Sequence, residues 1–366
     1  MNRLNSIIPD LWHLFLKTGS MIHTLTSLRF LFALMVFGAH CYILDPVFDV
    51  HFFKEGFVGV SFFFVLSGFI IAYNYREKLQ NQTITRRSFW VARVARIYPL
   101  HWLTLSVAVL AGGYVVADGV TDWCKHFFSS ALLLQAYVPQ PSYFFSFNSP
   151  SWSLCCEQLF YLCFPFLIGW AKNGKRLLYL FLFCVLLVPL GMYFTPEAAI
   201  KAYWYVNPVA RFPDFIAGML LYEAYRRLHA RKITYRQGTL LEILAVVVFC
   251  GFYFYASAIP KVYRYSCYYW LPVAFLLLCF ALQKGAVSRL LSNRYLVIGG
   301  EISYSFYLIH LFVLLTYVEL QKKQGWHISW TVSVPVLFCI IVVLSLLSYY
   351  RFEKPMNKFV KKQLNK

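Results

Sequence analysis

Ten long apolar stretches punctuate this sequence, at residues 25–44, 57–75, 98–117, 152–170, 177–194, 207–225, 239–256, 268–283, 302–320 and 330–350. A helix needs about 20 predominantly apolar residues to cross the hydrocarbon core, and in lipid its backbone groups must be satisfied within the segment. The chain is therefore read as an all-α polytopic membrane protein with about ten transmembrane helices. The run 127–138 is too short to span and is expected to lie in the interface or re-enter it. Composition agrees. Hydrophobic residues make up 60% of the chain and charged residues 13%, against about 25% charged in soluble domains.

The net charge of +19 invites a nucleic-acid reading, which the distribution of the charges excludes. With a cytoplasmic N-terminus, twenty-five lysines and arginines fall in inner segments and eight in outer ones, while Arg29 lies inside the first span. That asymmetry is the positive-inside signature. It predicts both termini in the cytoplasm, and it collapses if 127–138 is counted as a full span. Residues 25–350 then form one membrane domain. Residues 1–24 form an interfacial lead with no small-residue cleavage site, in which Met21 is an alternative start, and 351–366 form a basic cytoplasmic tail.

The ten cysteines include no C-x-x-C spacing and lie mostly inside apolar runs. They read as small apolar residues, not as a disulfide or zinc framework. No G-x-S-x-G, H-E-x-x-H or phosphate-loop pattern occurs, so no metal site is expected. Gly56, Gly59 and Gly68, with Ser61 and Ser67, make the second span a surface on which helices can approach closely.

Titratable groups inside spans are costly and tend to face the bundle interior. Arg29 and His40 are eleven residues apart in LRFLFALMVFGAH, hence on nearly one helix face and about 16 Å apart. Arg29 falls near the cytoplasmic interface and His40 in the outer half. Taken singly, Arg29 also reads as a snorkelling cation and His40 as a packing histidine. Glu157, in PSWSLCCEQLFY, lies at the depth of His40, so it can pair with the imidazole and fix its tautomer, or else serve only helix packing. Ser303, Tyr304, Tyr307 and His310 form a polar stripe on the ninth span, which interhelical hydrogen bonding alone would also explain. Arg86, Arg87, Arg93 and Arg96 precede the third span. Arginine forks suit phosphate, though positive-inside anchoring gives the same pattern.

Taken together these segments resemble the acyltransferase-3 family of bacterial integral-membrane acyltransferases. The resemblance rests on the Arg29-to-His40 spacing, GFVGVSFFFVLSGFIIAY, FWVARVARIYPLHWL, PSWSLCCEQLFYLCFPFL, NPVARFPDFIAGMLL, EISYSFYLIH and FEKP, in that order from about residue 25 to 358. It implies a multi-pass enzyme of the bacterial cytoplasmic membrane, in the form without an appended extracytoplasmic domain. It also implies transfer of an acyl group, commonly acetyl, from cytoplasmic acyl-CoA to a hydroxyl of a cell-surface or exported glycan or glycolipid. No permanently bound cofactor is implied, and no sequence feature speaks to oligomeric state.

With that resemblance, His40 is the expected general base and Glu157 its orienting carboxylate. Arg29, Arg93 and Arg96 are the expected acyl-donor contacts. Trp152, Ser153, Ser67, Tyr304 and His310 are expected to support the site. Tyr143, Phe144 and Phe145, beside Trp152, are candidate sugar-stacking faces. An acyl-histidine at His40 is the second chemistry the residues allow. A transporter or flippase for a glycolipid or acyl donor is the rival function, since intramembrane Arg, His and Glu also mark transport paths. It would predict repeats, and none is visible.

Overall fold

The computed structural model describes residues 22–112, 117–172 and 174–364, and within them every regular element is helical. Most of the expected lead at 1–24, Met21 included, lies outside the described residues. Helices of eight residues or more are labelled here α1 His23–His40, α2 Val58–Gln80, α3 Arg86–Leu110, α4 Gly119–Ala131, α5 Trp152–Trp170, α6 Gly174–Tyr193, α7 Pro208–His229, α8 Tyr235–Tyr255, α9 Trp270–Leu282, α10 Arg294–Gln324, α11 Trp330–Ser348 and α12 Lys354–Leu364.

Each apolar stretch read from the sequence overlaps one of these helices, and residues 113–116 of the stretch 98–117 lie outside the described residues. Among the described residues, seven helical runs are long and apolar enough to cross a bilayer, those carrying α1, α2, α5, α6, α8, α10 and α11. The other three expected spans differ for identifiable reasons. Four arginines occupy the first half of α3, ahead of its apolar run, charged residues of both signs interrupt α7, and α9 has only 13 residues. The segment 127–138 does not span. It is the end of α4 followed by a reversal through Leu133, at φ 56°, and a short 3₁₀ turn at Gln135–Tyr137.

Local sequence sets several helix ends. Thr85 caps α3 by accepting from the Ser88 amide at 3.1 Å. Asn207 caps α7, whose first residue is Pro208, and Thr234 with Gln237 forms a capping box on α8. These side chains satisfy amides that a helix start leaves without a partner.

Burial separates inner from outer helices. The α2 run is 72% buried over its most apolar window and the α10 run 61%, whereas α6 is 17% and α11 22%. Exposed Phe183, Leu186, Val343 and Leu347 give the outer helices an apolar surface of the kind lipid requires.

Glycines set the tightest contacts. A Cβ at Gly68 would lie 2.0 Å from the Phe215 carbonyl oxygen, and one at Gly218 would lie 1.9 Å from that of Val65, so α2 and α7 meet backbone to backbone. A Cβ at Gly300 would fall 1.7 Å from the Thr26 oxygen, which seats α10 directly on α1. Small residues permit this proximity in membranes, where packing rather than a hydrophobic gradient holds helices together.

The bundle has two ends. The start of α1 lies by the ends of α9 and the Ala286–Leu291 turn, through Thr24 to Phe280 O at 2.7 Å and Ser27 to Leu291 O at 2.5 Å. At this arginine end α12 lies along α3, with Asn357 donating to Ala95 O and Arg87 to Leu364 O. The end of α1 reaches the opposite end, where an open cavity lies between the bundle and its connecting segments.

Candidate active site

His40 is the last residue of α1, and α10 carries His310 to it. His40 Nδ1 lies 2.9 Å from the Val36 carbonyl and 3.1 Å from His310 Nε2, while His310 Nδ1 lies 2.7 Å from the Tyr307 carbonyl. A carbonyl only accepts, so Nδ1 of each ring carries its hydrogen in this network. His310 Nε2 then holds a lone pair and accepts from His40 Nδ1–H. The remaining nitrogen, His40 Nε2, is left unprotonated, and His40 lines the cavity. An imidazole fixed in one tautomer with a free basic nitrogen is the arrangement a general base needs. His310 is itself 1% exposed and stacks on Phe306 with the ring planes 7° apart.

Glu157 does not fill the orienting role expected of it. Its carboxylate accepts from Tyr161 Oη at 2.8 Å, one turn further along α5, and Ser67 Oγ meets the same hydroxyl at 3.5 Å. Its charged neighbours are Arg96, Arg29 and Arg93. The depth estimate from the sequence was compatible with a His40 contact, but α10, not α5, is the helix seated on α1. His310, expected only to support the site, holds the ring instead.

The arginine end is more differentiated than its sequence spacing. Arg96 donates to the buried carboxylate of Glu353 at 2.8 Å and lies over the Tyr304 ring, whose hydroxyl donates to Ile97 O at 2.8 Å. Ser305 also donates to Glu353. Arg93 has no carboxylate partner among the described residues. It donates to Tyr75 Oη at 2.8 Å and stands over the rings of Tyr75 and Tyr161, with its buried Nε unpaired. Arg29 interacts with Arg96, Glu157 and Glu353, so its neighbours are protein groups of the same cluster.

The cavity encloses about 840 Å³ and is lined by His40, Asn148, Trp152, Tyr205 and Tyr307 among others. Trp152 is buried, with its ring 4.8 Å from that of Tyr205. Ser153 is buried and donates to Pro150 O at 3.0 Å. Of the three aromatic residues expected beside Trp152, only Phe145 lines the cavity. Phe144 is buried in the core, and Tyr143 stacks on His126 at 3.9 Å. Among the described residues no group of three or more His, Cys, Asp or Glu is arranged to hold a metal ion, and the ten cysteines are free thiols.

The sequence profile described as an acyltransferase domain, that of the acyltransferase-3 family, matches residues 22–350. The chain belongs to the acyltransferase-3 family. Over 328 residues it is 29% identical to acyltransferase MdmB of Streptomyces mycarofaciens, covering 80% of this chain and 78% of that protein. Over 323 residues it is 27% identical to the putative peptidoglycan O-acetyltransferase YrhL of Bacillus subtilis, covering 82% of this chain and 50% of the relative. A 142-residue stretch is 34% identical to the peptidoglycan O-acetyltransferase OatA of Listeria monocytogenes, covering 34% of this chain and 22% of that protein. The chain thus spans half or less of the two peptidoglycan-acting relatives. No solved structure matches it. With its apolar helices, membership makes the protein a multi-pass membrane transferase.

Three contributors escaped the sequence reading. Tyr161 was signalled only by its i+4 spacing from Glu157. Glu353, within FEKP, became the partner of Arg96 through a contact across 257 residues. Lys201 lines the same cavity as His40, and nothing in its local sequence pointed there.

Proposed function

We propose that this protein is an O-acyltransferase, most simply an O-acetyltransferase, that moves an acyl group from acyl-CoA to a sugar hydroxyl bound in the cavity, with His40 as the general base. The observation that carries the reading is the free Nε2 of a tautomer-locked His40 on the wall of a cavity with aromatic faces. In the expected topology the cavity faces outward and the arginine end faces the cytoplasm, where acyl-CoA is available.

In this mechanism the acceptor hydroxyl donates to His40 Nε2. Its oxygen attacks the thioester carbonyl as the proton moves to the ring. The imidazolium is stabilised through Nδ1–H by the Val36 carbonyl and His310 Nε2. Collapse of the tetrahedral intermediate breaks the carbon–sulfur bond, and the proton passes from His40 to the leaving thiolate. The products are the acyl ester and coenzyme A. A positioned base of this kind contributes about 10²–10⁴-fold.

Phosphates of the donor would meet Arg93, whose guanidinium is in no ion pair among the described residues and keeps a buried Nε without a partner. Arg96 is already paired, so it serves to hold Glu353 and the start of α12. Glu157 and Tyr161 pair with each other against the arginine cluster, where a pantetheine arm leaving Arg93 would pass. The Nε2 that acts as base is also the nitrogen an acyl-imidazole would use. Trapped acyl-histidine under single turnover would select that two-step version, and its absence the direct one.

The acceptor class is tested by comparing cell-surface glycans by mass spectrometry with and without the gene. Loss of one acyl increment, restored by wild-type protein, is expected. Identical glycans with and without the gene contradict the reading.

A further inference from the structure

Four lysines stand at the cavity: Lys54, Lys201, Lys261 and Lys322. Its lining carries two carboxylates, Asp49 and Glu319, and both are engaged. Asp49 pairs with Lys54 at 2.6 Å, and Glu319 with Lys323 at 2.9 Å. Lys201, Lys261 and Lys322 therefore have no carboxylate partner among the described residues.

Two of these cations are held over aromatic rings of the same cavity. Lys201 Nζ lies 4.7 Å from the Phe145 centroid, and Lys261 Nζ lies 5.9 Å from that of Tyr265. A ring face steadies an ammonium without cancelling its charge. The two lysines also repel one another. Desolvation first, and Lys261 second, hold the Lys201 ammonium below its ordinary value. Two exposed ammonium groups without a carboxylate partner, beside sugar-sized aromatic faces, make a site that can take an anion.

We infer that the acceptor is an acidic sugar, whose carboxylate sits between Lys201 and Lys261 while its ring lies against the cavity aromatics. This rests on the acyl-transfer reading and adds the acceptor's charge class to it. Lys201 and His40 line the same cavity, so a carboxylate held by the lysines would keep the sugar in the cavity that holds the base.

The test is equilibrium binding to the full-length protein in nanodiscs, which requires no turnover. The probes are a glucuronic acid tetramer, the matched neutral glucose tetramer, and coenzyme A. Two surface-type ion pairs predict that the acidic tetramer binds about tenfold more tightly than the neutral one. The K201Q/K261Q variant should erase that preference and leave coenzyme A affinity unchanged. Equal binding of the two tetramers, binding of neither, or a preference that survives the double substitution would overturn the proposal. Weakened coenzyme A binding in the variant would overturn it too, by giving these lysines to the donor phosphates. Because the readout is binding, an enzyme that fails to acylate either tetramer contradicts the proposed function without deciding this point.

Discussion

At the scale of single residues, chemistry depends on which nitrogen of His40 is free; the Val36 carbonyl keeps the hydrogen on Nδ1, and His310 Nε2 steadies the ring beside it. His310→Ala removes the second acceptor beside His40 Nδ1–H, leaves only the Val36 carbonyl, and gives the ring room to turn. A fall in kcat of about tenfold or more is expected, with little change in KM for either substrate, since His310 touches neither. Steady-state kinetics with both substrates varied would check it, and a loss confined to KM would assign His310 to binding. The two arginines of the third span should separate as well. Arg93→Ala should raise the apparent Kd for acyl-CoA while the protein stays folded. Arg96→Met should instead lower stability by about 3 kcal/mol, the low end for breaking a buried pair, because Arg96 retains some exposure. Much of that loss should return in the double variant Arg96→Met/Glu353→Met, as read by thermal unfolding in detergent. His40 and the arginines were legible in the sequence because a titratable group inside an apolar run stands out. Their pairings were not, because Glu353 and His310 reach them across 257 and 270 residues, and spacing carries no information at that range.

At the scale of helices, hydrophobic length was enough to find the elements. It was not enough to say which helices touch. That choice is made by glycines such as Gly300, which the sequence presents as one more small residue. Gly300→Val places side-chain carbon where the Thr26 carbonyl stands and must push α10 from α1. A destabilisation of about 1–3 kcal/mol is expected from such overpacking, together with a loss of kcat in the fraction that remains folded, because the same contact aligns the histidines. Unfolding midpoints and activity per folded molecule would separate the two effects. A variant with unchanged stability and activity would remove Gly300 from the account. The arginine-bearing α3 and the mixed-charge α7 show the other limit of hydrophobic length. Several of their charges are spent inside the bundle, as Arg211 with Asp214 at 2.9 Å illustrates, so an apolar average undervalues helices that are buried among other helices.

At the scale of the whole molecule, the account needs donor and acceptor to approach from opposite ends. The charge asymmetry of the loops supports that topology, and the structure puts the start of α1 and the end of α11 at the same end. A reporter that is active only in the cytoplasm, fused after the tail, should be active, and one that is active only outside should be silent. The reverse pattern would turn the cavity inward. The central claim is that the lone pair on His40 Nε2 drives acyl transfer. Its most direct measurement is the acyl-transfer rate of His40→Gln beside the wild type, in nanodiscs, with folding and coenzyme A binding verified on the same samples. A fall of about 10²-fold or more in kcat with coenzyme A affinity unchanged is predicted. A His40→Gln enzyme that transfers acyl groups at the wild-type rate would contradict the account.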